Sequence, residues 1–253
     1  MLMSMQALMW GTVAGSALLL GAAAAWWLEI PRKIVSSVMA FGAGVLISAL
    51  AFELVVEAEE VGGLGATVMG FLAGATIYVG VNSLLVRFGA EHRRRGKVAT
   101  RAGSRDGAAP NGGAAVALGA LLDGIPESIV LGVGLLSGTA VNPTMLAAIF
   151  ISNVPEGLAS TADMKRAGKG PKEIFAIWGS IALLSGLAAM IGFLALDNAP
   201  GEVIAVVTAI AAGGILAMLA DTMIPEAFEE QHMLTGFIAA LGFLTALILH
   251  YGA

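Results

Sequence analysis

Apolar residues run almost unbroken over about 4–28, 34–58, 64–88, 113–138, 143–164, 173–196, 200–225 and 234–252, and polar residues collect between the runs. At 1.5 Å of rise per residue, each run is long enough to cross a hydrocarbon core of roughly 30 Å. An open sheet cannot cross lipid, because its edge groups stay unsatisfied, and no barrel-like alternation is visible. The pattern therefore predicts an all-α, polytopic membrane helix bundle of eight transmembrane helices, forming one integral membrane domain over 1–253. The first run lacks a basic leader and exceeds the usual length of a signal-peptide core, so it is expected to remain as a helix. Trp26 and Trp27 at its end have the character of an interfacial anchor.

Composition agrees with this pattern. The chain is 58% hydrophobic and 12% charged, with a mean hydropathy of +0.88, whereas soluble domains carry roughly 25% charged residues. Its 34 glycines suit helices that pack closely in lipid. With no cysteine, disulfides and thiolate metal sites are excluded. The 13 basic residues set an orientation. Arg32 and Lys33 lie between the first and second runs. Arg87, Arg93, Arg94, Arg95, Lys97, Arg101 and Arg105 lie at or after the end of the third. Lys165, Arg166, Lys169 and Lys172 lie between the fifth and sixth. Connections 2–3, 4–5 and 6–7 carry none. Positive charge is retained on the cytoplasmic side, so both termini are expected on the non-cytoplasmic side of the plasma (cell inner) membrane. Segment 89–112, rich in Arg and Gly with no apolar period, reads as a mobile basic cytoplasmic loop; anionic lipid headgroups are the sharper alternative partner.

The polar positions inside the runs carry the chemistry. "LLDGIPESIV" at 121–130 and "ISNVPEGLAS" at 151–160 each place a proline directly before a glutamate. Asp123 and Glu127 are four apart, as are Ser152 and Glu156, so each pair shares a helical face. Pro126 and Pro155 release the carbonyls of Leu122 and Ile151, which gathers oxygen atoms at one depth. A central intramembrane acid costs about 2.5–3.5 kcal/mol, and these helices contain no Lys or Arg before residue 165 to offset it. Either the acids are neutral and glue helices together, or a cation sits among them. The second reading is a divalent-cation site of carboxylate, amide and hydroxyl oxygens: Asp123, Glu127, Ser152, Asn153 and Glu156. Glu53 and Asp221 lie within the second and seventh runs as candidate pathway groups, with Glu57 and Glu226 as vestibule groups nearer the ends. Glu59 and Glu60 fall outside, where acids collect cations. His92, His232 and His250 are isolated and read as solvated. The second and seventh runs also resemble each other, "GAGVLISALAFELVVEA" against "AGGILAMLADTMIPEA", as inverted-repeat transporters do.

On these residues the chain resembles the ZIP (Zrt-, Irt-like) metal-transporter family. "SNVPEG" at 152–157 matches that family's His-Asn-x-Pro-Glu-Gly type motif with Ser152 in the histidine place. "DGIPES" at 123–128 matches with Asp123 for histidine, Gly124 for asparagine and Ser128 for glycine. "FGAGVLISALAFEL" with Glu53 and "LADTMIPEA" with Asp221 are also similar to the family. The resemblance implies eight helices in a three-two-three inverted-repeat arrangement and transport of divalent metal towards the cytoplasm. Both motif histidines are missing, as is the acid of the sixth helix that lets relatives bridge a second metal. An all-oxygen site shifts preference from zinc towards manganese or ferrous iron. No prosthetic group is expected, since the metal (Zn, Mn or Fe) is the transported substrate. The expected partners are that ion and the lipid bilayer, with a homodimer also open and no nucleic acid.

Two other readings stay open. One is a ZIP-like protein that has lost zinc transport and carries another cation, or protons alone. The other, remote, is an intramembrane aspartyl protease built on Asp123 and Asp221. No metalloprotease motif occurs, and an enzyme is not the expectation.

Overall fold

The computed structural model describes residues 2–85, 112–136, 142–229 and 233–252. Among them the protein is helical and has no strand. The helices are α1 (Leu2–Trp27), α2 (Arg32–Ala49), α3 (Val55–Leu85), α4 (Gly112–Val133), α5 (Pro143–Arg166), α6 (Pro171–Leu196), α7 (Gly201–Met218), α8 (Ile224–Ala227) and α9 (Thr235–Gly252). The basic segment 89–112, apart from Gly112, lies outside the described residues, as do Arg87, His92, Glu230 and His232.

Local chemistry accounts for the boundaries. Pro31, Gly170 and Pro200 precede α2, α6 and α7 in extended backbone. Asn142 caps α5, its Oδ1 accepting hydrogen bonds from the amides of Thr144 (2.9 Å) and Met145 (3.2 Å), and Pro143 follows at the first helical position, where a missing N–H costs nothing. Lys165 and Arg166 close α5 on the side the helix dipole favours. Gly63, at φ 73° and ψ 167°, interrupts the helical course of α3. An L side chain is disfavoured there, and glycine is the residue that permits the break.

The sequence pattern missed one feature. The helical path from α2 into α3 passes through a π turn at Leu50–Leu54, and that from α7 into α8 through another at Leu219–Met223. Each inserts one residue into the helical register. Glu53 and Thr222 are both fourth in their turns. Glu57 and Glu226 are both the eighth residue counted from the turn's first leucine. The sequence reading paired Glu53 with Asp221; by position in the turn, Glu53's counterpart is Thr222.

Packing is inside-out relative to a water-soluble domain. α3 lies along α7, α9 along α2, α1 against both α5 and α6, and α4 against α6. Large apolar residues cover the outside, for example Leu64, Met69, Leu72, Phe237 and Ile248, all exposed. Glu53, Asp123, Glu127, Ser152 and Asn153 are buried. Five helical stretches among the described residues are long and apolar enough to cross a membrane: Leu2–Trp27, Arg32–Leu85, Pro171–Leu196, Gly201–Ala227 and Thr235–Gly252. α4 and α5, which carry the Pro-Glu phrases, are not among them. Inside, Trp178 is wholly buried, and its indole N–H donates to Thr161 Oγ1 at 2.7 Å, joining α6 to α5.

Candidate functional site

The two Pro-Glu phrases sit in continuous helices, α4 around Pro126 and α5 around Pro155. Each is covered by a glycine of another helix. A Cβ on Gly42 of α2 would come to 3.2 Å from Ser152 Cα and 3.3 Å from Pro155 Cγ. A Cβ on Gly214 of α7 would come to 3.6 Å from Pro126 Cγ. The smallest residue thus stands where the proline ring needs room, and α2 and α7 pass directly over the two motifs.

Asp123 and Glu127 are both buried on α4, at 4% and 3% exposure, one turn apart. Asp123 Oδ1 accepts a hydrogen bond of 2.8 Å from the Tyr78 hydroxyl on α3. The same hydroxyl is 3.4 Å from Thr222 Oγ1 in the second π turn. Glu127 Oε2 is buried with no hydrogen-bond partner among the described residues. Such an atom costs roughly 1–3 kcal/mol unless a proton or a cation is supplied. Ser128 donates to the Gly124 carbonyl at 2.6 Å, within its own helix.

On α5, Glu156 is half-buried. The Ser152 hydroxyl donates to the Ile149 carbonyl at 2.9 Å, which leaves the oxygen's lone pairs for other partners. The Asn153 amide donates to the Ala14 carbonyl of α1 at 3.1 Å, so its NH₂ ties α5 to α1. Among the described residues, no three His, Asp or Glu side chains stand close enough to hold one ion between them.

The four pathway residues separate. Glu53 is buried and holds two partners: Asn142 Nδ2 donates to its Oε2 at 2.6 Å, and His250 Nδ1 lies 3.3 Å from its Oε1. Glu53 therefore links the first π turn to the start of α5 and the end of α9. Asp221 is exposed, as is Glu57, and Glu226 is half-buried. Asp123 and Asp221 thus occupy different environments, one buried on α4 and one at the surface of the π turn. His250 is not merely solvated, since it meets both Glu53 and the Tyr251 ring, with ring centroids 4.9 Å apart.

Sequence reasoning passed over Tyr78, Asn142 and Thr222. Asn142 was legible as the cap of "NPT". Tyr78 is one of two tyrosines in the chain and lies well inside an apolar run, where a buried phenol needs a hydrogen-bond partner. Thr222 had no such signal, because its role depends on the π turn. Compared with known protein families and with curated proteins, the chain matches none.

Proposed function

We propose that this protein is a ZIP-like membrane transporter that carries divalent cations towards the cytoplasm, with Asp123, Glu127 and Glu156, which do not converge on one point in this conformation, supplying charge along the path and Ser152 and Asn153 the neutral oxygen and amide groups. The observation that carries this reading is Glu127: a carboxyl 3% exposed, with one oxygen lacking a hydrogen bond among the described residues. It stands one turn from a second buried acid, in helices without an arginine or lysine at that depth. An intramembrane acid of this kind is a functional group by default.

Eight crossings are part of the proposal. The Arg32–Leu85 stretch is 54 residues, far more than the ~20 that one crossing needs, and Gly63 divides it. The glycine contacts support an inverted three-two-three repeat. Gly44 abuts the Ala239 carbonyl and Gly242 the Phe41 carbonyl between α2 and α9; between α7 and α3, Gly213 abuts that of Phe71 and Gly74 that of Ile210. Gly157 and Gly21 similarly meet the Leu18 and Val154 carbonyls between α5 and α1, as Gly132 and Gly192 meet those of Ala189 and Ile129 between α4 and α6. The same crossed contact is built twice, with the two π turns at matching places. The distribution of Lys and Arg supports an orientation with both termini on the non-cytoplasmic side.

The donor set is oxygen throughout, which favours manganese or ferrous iron over zinc. Purified protein in liposomes should take up Mn²⁺ or Fe²⁺ faster than Zn²⁺ or Mg²⁺, and Asp123→Ala and Glu156→Ala should each reduce uptake at least tenfold. Normal uptake by both variants sinks the site; no uptake of any divalent ion sinks the transporter reading.

A further inference from the structure

Tyr78 belongs to a buried stripe of α3, Thr67, Gly70, Gly74 and Tyr78, on a helix whose other faces are mostly exposed. Gly70 and Gly74 press against the backbone of α7 at Val206 and Ile210, so Tyr78 is carried at a fixed distance from α7. Its ring is 3% exposed. From there the hydroxyl crosses to a third helix and donates to Asp123 Oδ1 at 2.8 Å, with Thr222 Oγ1 at 3.4 Å. A phenol donating to a carboxylate makes a charge-assisted bond with strong directional preference.

We propose that Tyr78 is a positioning residue for the cation site, its hydroxyl fixing the orientation in which the Asp123 carboxylate meets the ion. The inference rests on the transport reading of Asp123 and adds to it a residue that does not itself contact the ion. Groups that orient a metal-binding carboxylate typically change affinity 10–100-fold when removed. A cation at Asp123 withdraws charge from Oδ1, so the phenol's hydrogen bond weakens as the ion binds. Tyr78 therefore both sets the site and reports its occupancy.

Mn²⁺ binding to purified full-length protein tests this in four proteins: the parent, Tyr78→Phe, Asp123→Asn and the double variant. Tyr78→Phe keeps the ring and its packing and should weaken Mn²⁺ binding tenfold or more in the parent. In the Asp123→Asn background it should change binding less than twofold, because the phenol acts through that carboxylate. An equal effect in both backgrounds, or none in the parent, overturns the proposal. If Asp123→Asn weakens binding while Tyr78→Phe does not, only the role of Tyr78 falls; if Asp123→Asn also leaves binding unchanged, the site falls with it. A second readout needs no change at Tyr78. Tyr251 is 75% exposed, and Tyr251→Phe leaves Tyr78 as the chain's only tyrosine. Saturating Mn²⁺ should then shift the tyrosine ultraviolet difference spectrum, and an unchanged spectrum on binding overturns the proposal.

Discussion

Glu127 concentrates the physical problem of this protein in one side chain. The sequence marks it as a carboxylate after a proline in an apolar run; the fold buries it and leaves Oε2 without a hydrogen bond among the described residues. Glutamine has nearly the same shape but does not ionise, so it offers a divalent cation one neutral oxygen in place of a charged carboxylate. Glu127→Gln should therefore keep its melting temperature without metal to within a few degrees. It should lose most of the melting-temperature rise that Mn²⁺ gives the parent, because that rise scales with ligand affinity. A full rise in the variant, followed by circular dichroism in detergent, would place the ion elsewhere. Asp123, Ser152 and Asn153 were equally visible as residue types. Their partners were not: the Tyr78 phenol, the Ile149 carbonyl and the Ala14 carbonyl stand on other turns or other helices.

The helices were the most legible level. The long apolar runs alone placed most boundaries within a few residues, and Pro31, Pro143, Pro171, Pro200 and the Asn142 cap explain those boundaries once the helices are seen. The π turns were not legible, because apolar periodicity cannot detect one extra residue in a run that is apolar on nearly every face. They also move the functional register, so that Thr222, not Asp221, reaches the polar junction at Tyr78. Close helix approach is testable here. A Cβ at Gly44 would collide with the Ala239 carbonyl, whereas one at Gly80 meets nothing within 4 Å. Gly44→Val should destabilise by at least the roughly 1–3 kcal/mol typical of overpacking. Gly80→Ala should be neutral or stabilising by up to about 1 kcal/mol through helix propensity. Thermal melts of both variants in one detergent check the contrast; equal melting temperatures would show that α2 and α9 do not meet at Gly44.

Orientation belongs to the molecule as a whole. Because the chain contains no cysteine, single cysteines report it directly. Lys33→Cys and Gly168→Cys should react with a membrane-impermeant thiol reagent only after the membrane is opened. Gly65→Cys and Asn198→Cys should react in intact cells. Labelling of all four from one side would end the eight-crossing orientation. This prediction needs only the order of the helices and the positions of arginine and lysine.

The sequence by itself determined that the chain is helical, that several of its helices can cross lipid, and that acids and prolines lie together within two of them. Those properties follow from transfer free energy and backbone hydrogen bonding, which act on each segment independently of its neighbours. Only the tertiary structure decided which polar groups meet. Glu53 turns to Asn142 and His250, Asp123 to Tyr78, and Asn153 to α1. The reason is geometric. A glycine's contact with a distant carbonyl and a π turn's added residue set how helices approach and rotate, and a rotation of one residue, about 100°, carries a side chain to another face.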